Sequence, residues 1–178
     1  MSIDDYITWY VLYIPHGVYW WGLAVLAVSA VGLTAWLGVR RGLRWTALVL
    51  LVEYAALLLH FTVFMRPATG RHEWILTPLW SYGAIAGGTR VLIEENVTNV
   101  AVFLPMGFLL AVVMRDRRWW RPLMAGVALS LAVELLQLLL MRGFCETDDV
   151  IHNALGCIVG IIIFVNLHKL FSAVRLFS

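Results

Sequence analysis

The chain has 178 residues, of which 62% are hydrophobic and only 13% are charged, and its mean hydropathy is +0.85. Soluble domains have roughly 25% charged and 45–50% apolar residues, so this composition argues against a soluble globular fold and predicts an integral membrane protein. The net charge of +2 and the scattered basic residues argue against binding to nucleic acid. Two cysteines are too few for a disulfide framework.

The predicted elements form an all-α bundle of five transmembrane helices. Residues 1–17 come first, and the helical spacing of apolar residues over 2–14 predicts a short interfacial helix or an extension of the first span. A span needs about 20 mostly apolar residues. Five segments meet this requirement: 19–39, 45–65, 96–114, 122–141 and 150–171. In the last one, Gly156 and Gly160 form a Gly-x-x-x-Gly pair, which is typical of close helix packing. The whole chain, 1–178, is predicted to be a single transmembrane domain.

The basic residues predict the orientation of this bundle. Nine of the thirteen Lys and Arg residues fall between spans one and two, between spans three and four, or at the C-terminal end. Because basic loops stay in the cytoplasm, the N-terminus is predicted outside and the C-terminus cytoplasmic. The loop of residues 66–95 then lies outside. Its apolar stretch from Trp74 to Trp80 predicts that it packs back on the bundle as a lid or re-entrant segment.

Polar residues concentrate in the outer half of the predicted bundle. Glu134 and Gln137 are three residues apart and share one face of the fourth span, with Glu134 roughly 12 Å below Arg142 at about 1.5 Å per residue. The other spans bring further polar residues to this half: His60, Arg66, Asn99, Asp148, Asp149 and Asn153. Because charge is costly inside a membrane, this convergence predicts an outward-facing functional cavity.

Simpler explanations of the same residues stay open. Polar side chains in membrane helices also join helices through hydrogen bonds worth about 0.6 kcal/mol each. Asp148, Asp149 and Arg142 are also compatible with an ordinary solvated loop. Asp149 and His152, three residues apart, are a weak signal for a divalent cation, so neither a metal site nor a cofactor is predicted.

Two stretches of the chain contain polar residues, proline and glycine in specific patterns. The first is Asn99-x5-Pro105-x-Gly107. The second is Glu134-x2-Gln137-x4-Arg142, followed by Asp148-Asp149-x3-Asn153-x2-Gly156-x3-Gly160. Both stretches resemble the VanZ-like family of bacterial membrane proteins, in which the first corresponds to a helix with the pattern Asn-x5-Pro-x-Gly. Together they extend over residues 99–160. The chain departs from the family where Glu146 replaces a common Asp, and where Ile75-Leu-Thr-Pro78 lacks an Asn before the Pro.

The resemblance implies a multi-pass protein of the bacterial cytoplasmic membrane with a role at the cell envelope. The family takes its name from a protein that confers resistance to teicoplanin, a lipoglycopeptide. The first hypothesis is therefore a cavity that binds a lipoglycopeptide or an anionic lipid-linked envelope precursor. Its predicted ligand-binding residues are Arg66, Asn99, Gln137, Arg142, Asn153 and His60.

Two other functions are compatible with the sequence. One is a membrane hydrolase or transferase acting on a polyprenyl-phosphate or glycolipid. In that case Glu134 is the general acid or base, with Asp148 or Asp149 as the partner carboxylate. A third hypothesis is a structural subunit of a membrane complex, in which the polar residues only join helices. The sequence leaves both catalysis and oligomeric state open.

Overall fold

The computed structural model describes residues 42–66, 68–115 and 118–174, with side chains described as far as residue 170, and residues 25, 28, 29 and 32 of the preceding segment. The predicted interfacial helix, 1–17, lies outside the described residues. So does the predicted first span, 19–39, apart from those four positions.

Four helices of the described part are long and apolar enough to cross a membrane. Helix α1 (Leu43–Leu59) continues into a π-helical turn (His60–Phe64), and the others are α3 (Val91–Met114), α4 (Trp120–Leu139) and α5 (Thr147–Val174). They correspond to the second through fifth predicted spans, which confirms an all-helical membrane protein. The first predicted span, 19–39, and the orientation stay predictions.

The largest difference from the predicted boundaries is at the start of α3. This helix begins at Val91, five residues before the predicted start, with Glu94 in its first turn. A negative charge is favourable there because the helix N-terminus carries partial positive charge. As a consequence, Glu95 and Asn96 lie on the helix and are buried. Asn96 therefore does not cap the helix; its amide donates a hydrogen bond to Ser81 Oγ (3.1 Å).

Glycines bring α3 and α5 into close contact. A Cβ atom on Gly156 would meet the carbonyl oxygen of Val100, and a Cβ atom on Gly160 would meet that of Leu104. The predicted packing role of this pair is confirmed, because any side chain would force the helices apart. On the other side of the bundle, Tyr54 Oη of α1 donates to the carbonyl oxygen of Val102 (2.6 Å).

The connections α1–α3 and α4–α5 meet at one end of the bundle, which we call the loop end. It carries helix α2 (Trp80–Ala86) and two short strands, β1 (Glu73–Ile75) and β2 (Phe144–Glu146). The strands pair in parallel, with Ile75 opposite Glu146. Residues 68–90 thus fold back on the bundle, where β1 and α2 pack around Leu92 and Phe144.

Candidate functional site

A cavity of about 40 Å³ lies between the π-helical turn after α1 and helices α3, α4 and α5, in the half of the bundle nearest the loop end. Its lining is mainly polar: Thr62, Arg66, Glu95, Thr98, Asn99, Val102, Phe103, Val133, Glu134, Gln137, Asp149 and Asn153. One water occupies roughly 10–15 Å³ of such volume, so the cavity has room for a few waters or one small polar group.

Helix α4 contributes Glu134 and Gln137, which the sequence predicted to share a face. Both are almost fully buried, at 2% and 1% exposed. Glu134 Oε2 accepts a hydrogen bond from the backbone N–H of Glu146 (2.8 Å). Gln137 Nε2 donates to the carbonyl oxygen of Thr62 (2.9 Å), which lies in the middle of the π-helical turn. Because a carbonyl can only accept, this contact fixes the amide orientation and leaves Oε1 buried without a hydrogen-bond partner.

Helix α5 contributes Asp149 and Asn153, which are four residues apart. Asn99 of α3 donates its Nδ2 hydrogen to Asp149 Oδ1 (2.7 Å). Asn153 Nδ2 donates to Ser130 Oγ of α4 (2.9 Å), and its Oδ1 is a second buried oxygen without a partner. The predicted convergence of these three residues on one region is therefore present in the structure.

Among the described residues that line this cavity, three are acidic and one is basic. The acidic residues are Glu95, Glu134 and Asp149, and the basic one is Arg66. Arg66 interacts electrostatically with both Glu134 and Asp149. Its guanidinium lies against Gly143, where a Cβ atom would come within 2.8 Å of Arg66 Nη1. Gly143 also has φ 131°, a conformation that favours glycine.

Two predicted ligand-binding residues, Arg142 and His60, are not brought to the cavity. Arg142 Nη1 instead donates to the carbonyl oxygens of Phe64 (2.7 Å) and Arg66 (2.8 Å). It therefore satisfies carbonyl groups at the end of the first described span, where a cation is also favourable. His60 is exposed on the outside of the bundle and contacts the ring of Phe61.

Asp148, a predicted partner carboxylate, also lies outside the cavity although its neighbour Asp149 lines it. Both oxygens of Asp148 are engaged at the start of α2. They accept from the backbone N–H of Leu79, from the N–H of Ser81 (3.0 Å) and from Ser81 Oγ (2.6 Å). Asp148 thus caps the N-terminus of α2 and holds it against α5.

A second contact joins α2 to α5. His152 Nδ1 faces the carbonyl oxygen of Asp148 (2.6 Å), so this nitrogen carries the hydrogen. Its Nε2 is hydrogen-bonded to the hydroxyl group of Tyr82 (2.9 Å). Both ring nitrogens of His152 are therefore engaged. Nearby, Trp80 Nε1 donates to Glu146 Oε2 (3.0 Å).

The described residues offer no metal site. No group of three or more His, Cys, Asp or Glu side chains in this part of the chain is arranged to hold a metal ion. Cys145 and Cys157 are both free thiols. Burial, followed by the nearby carboxyl groups of Glu134, Asp149 and Glu146, raises the pKa of the Cys145 thiol above its usual value of 9.0.

Several residues in or beside the cavity were not among the predicted site residues. Glu95, which lines it, is one turn before Asn99, and Ser130, which contacts Asn153, is one turn before Glu134. Helical spacing alone therefore contained a signal for both. Gly143 had no such signal, because its role depends on where the Arg66 side chain lies.

Four apolar helices of the described part, arranged around a buried polar cluster, define a multi-pass helical membrane protein. A family model described as VanZ/LLP1 matches residues 51–171, which is more than half of the chain and includes every residue lining the cavity. The chain therefore belongs to the VanZ/LLP1 family, and the resemblance seen in the sequence is confirmed. Neither a curated protein nor a solved structure matches the chain.

Proposed function

We propose that this VanZ-family protein binds the polar headgroup of a membrane-embedded envelope ligand in the cavity beside Glu134. The ligand is a lipid-linked cell-envelope precursor or a lipoglycopeptide of the teicoplanin type. In this proposal the protein resides in the bacterial cytoplasmic membrane, and the cavity faces outward, as the distribution of basic residues predicts.

The observation that carries the proposal is the pair of unsatisfied amide oxygens, Gln137 Oε1 and Asn153 Oδ1. A buried polar atom without a partner costs roughly 1–3 kcal/mol. Both oxygens belong to residues that line the same cavity. A ligand that donates hydrogen bonds would recover this cost on binding.

The structure favours contacts with a different part of the ligand from the one that the sequence suggested. Arg66 and Arg142 are the two basic residues among the ligand-binding residues predicted from the sequence, and arginine suits phosphate or carboxylate groups. Arg142 is engaged with backbone carbonyls, and Arg66 already interacts with Glu134 and Asp149. The contacts proposed here are therefore hydrogen-bond donors of the headgroup, such as sugar hydroxyl or amino groups, rather than its phosphates.

The size of the cavity limits what enters it. About 40 Å³ accommodates one small polar group, so the acyl or prenyl chain and the remainder of the headgroup lie outside it. Exposed apolar side chains are available for them at the loop end: Trp74, Leu76, Leu79 and Tyr82, each at least half exposed. Aromatic residues of this kind are typical of the membrane–water interface.

A membrane hydrolase or transferase is the second candidate. The observation in its favour is that two carboxyl groups, Glu134 and Asp149, line the same cavity. Two carboxyl groups at one site suffice for general acid–base catalysis. Asp148 is no longer part of this candidate, because its carboxylate holds α2.

The test compares the wild-type protein with Glu134→Gln. Glutamine keeps the acceptor for the Glu146 N–H but removes the charge and the acid–base group. Each protein is incubated with an envelope lipid extract, and mass spectrometry records retained molecules and new products. The matched control is Glu53→Gln, another carboxyl group within a span that does not line the cavity.

The outcomes separate the three hypotheses. A specific lipid retained by wild type and by the Glu53 variant, without a new product, supports binding. A new product formed by wild type and absent with Glu134→Gln identifies an enzyme. If none of the proteins retains a specific molecule or forms a product, a structural subunit is the remaining explanation.

A further inference from the structure

The residues that line the cavity differ in exposure according to the helix that carries them. Those of α4 and α5 are all buried: Val133, Glu134, Gln137, Asp149 and Asn153. On the opposite side, Thr62 of the π-helical turn and Asn99 and Val102 of α3 are half-buried, and Thr98 of α3 is exposed. The cavity is therefore closed toward α4 and α5 and opens at the side of the bundle, between the π-helical turn and α3. We call this opening the side mouth and define it by Thr62 and Thr98.

The side mouth lies within the membrane-spanning part of the bundle. Thr98 is roughly 10 Å along α3 from its start at Val91, at about 1.5 Å per residue. Large exposed side chains beside the mouth are apolar: Phe64 follows Thr62 by two residues, and Val97 is next to Thr98. Exposed apolar side chains of a membrane-spanning helix face the hydrocarbon of the bilayer. The side mouth therefore opens toward lipid rather than toward water.

Buried oxygens without a partner lie behind this opening. Gln137 Nε2 donates to the carbonyl oxygen of Thr62, at the side mouth, while Gln137 Oε1 has no hydrogen-bond partner. Asn153 Oδ1, in the same lining, also has none. These two side chains are only 1% and 4% exposed, so a polar group that enters by the side mouth is the kind of partner that they lack. The π-helical turn fits such a role, because π-helical turns are frequent at functional sites.

A ligand that already lies in the bilayer can use this opening. It needs to move only a small polar group sideways, and about 40 Å³ accommodates such a group but excludes a hydrocarbon chain. Taking the proposed binding function as its basis, we infer that the ligand is a membrane lipid of the leaflet at the loop end, and that its polar group enters laterally between Thr62 and Thr98. Its chain stays in the bilayer beside Phe64 and Val97. Of the two ligands in the proposed function, this route selects the lipid-linked precursor.

The first experiment determines what the side mouth opens to. A nitroxide spin label is attached to Thr98→Cys in the full-length protein, with Cys145 replaced by serine, in nanodiscs of dioleoyl phosphatidylethanolamine and phosphatidylglycerol. Electron paramagnetic resonance then compares collisions with oxygen, which concentrates in lipid, and with a water-soluble nickel chelate. We expect oxygen to dominate at Thr98, as at the reference Val97→Cys. The opposite is expected for Arg71→Cys, in the loop, where the side chain is 73% exposed.

The second experiment obstructs the side mouth. Thr98→Trp and Thr62→Trp place a bulky side chain on either side of it and should each reduce the specific lipid retained from the envelope extract at least about tenfold. The matched control is Leu131→Trp, at an exposed position of α4 roughly 12 Å from the loop-end terminus of that helix at about 1.5 Å per residue. Its retention should equal that of wild type. If neither mouth variant folds, the spin label decides alone.

Three results overturn this inference. One is a label at Thr98 that collides mainly with the nickel chelate, which indicates an aqueous opening. Another is a label that neither reagent reaches, because another segment then covers the mouth. The third is wild-type retention in folded variants of both Thr62 and Thr98.

The proposed function is judged separately by the wild-type protein. Capture of an added teicoplanin-type lipoglycopeptide, without any specific lipid from the extract, overturns the lateral route and leaves the proposed function standing. If wild type captures neither, both are wrong.

Discussion

Replacing Asp148 by asparagine distinguishes a structural role for this carboxylate from a chemical one. The sequence grouped Asp148 with Asp149 as a candidate for catalysis, but the two side chains have different surroundings. Asp148 holds the start of α2 through three hydrogen bonds, from Leu79 N–H, Ser81 N–H and Ser81 Oγ. Asp149 accepts from Asn99 within the cavity.

The size of the expected effect follows from these contacts. An asparagine offers one acceptor oxygen in place of two and turns an NH₂ group toward at least one of the same donors. A hydrogen bond to a charged group is worth about 1.5–3 kcal/mol, and Asp148 is 1% exposed, so solvent does not weaken the contact. Losing one such bond should lower the free energy of local opening of α2 by about 2 kcal/mol, which corresponds to roughly 30-fold more opening.

Hydrogen exchange of the α2 amides, read by mass spectrometry, measures this opening directly. Asp148→Asn should accelerate exchange in Trp80–Ala86 about 30-fold while leaving the middle of α3 protected. The matched control is Asp149→Asn, which changes the adjacent carboxyl group and should leave α2 exchange unchanged. Unchanged α2 exchange in the Asp148 variant, together with a loss of function, would refute the structural assignment and return Asp148 to the site.

Three further predictions rest on separate contacts. Gly160→Ala inserts a methyl group between α3 and α5 and should destabilise the protein by about 1–3 kcal/mol in a thermal unfolding assay. The control is Gly83→Ala, which adds its methyl group in open space on α2 and should leave the stability unchanged. Equal melting temperatures of the two variants would contradict the packing argument. Arg142→Ala leaves two carbonyl oxygens without their donor, so it should both lower the melting temperature and weaken ligand retention. Weaker retention at an unchanged melting temperature would instead support the direct contact between Arg142 and the ligand that the sequence predicted. Cys145 should react with maleimide more slowly than a model thiol at pH 8, because its raised pKa reduces the thiolate fraction, and the labelling rate should increase as the pH rises. Glu134→Gln should accelerate the labelling at fixed pH, because it removes a nearby negative charge. An unchanged labelling rate in this variant would show that Glu134 carries no charge there.

The sequence alone predicted the class of protein and six of the nine polar residues that line the cavity. Long apolar segments determine membrane helices because the bilayer leaves the backbone no other partner for its hydrogen bonds. Helical spacing then decides which residues share a face, so the spacing alone groups Glu134 with Gln137, and Asp149 with Asn153. The glycine pair in α5 similarly predicted a close helix contact.

Helical spacing could not predict which of two adjacent residues on a helix faces the cavity. Asp148 and Asp149 are separated by about 100° around the helix axis, and only the positions of α2 and α3 decide which one meets the cavity. The early start of α3 had a similar effect, because it turned Glu95 from a loop residue into part of the lining. Helical spacing gives relative directions, but the packing of neighbouring helices sets the absolute one.

Loop side chains depended most on tertiary structure. Arg66 and Arg142 are both basic residues at the loop end, and nothing local to either indicated that Arg142 would bind the carbonyls of Phe64 and Arg66 while Arg66 faced the carboxyl groups. The pairing of β1 with β2 joins segments about seventy residues apart, each only three residues long. Strands this short carry almost no periodicity of their own, so they form only because the folded helices bring them together.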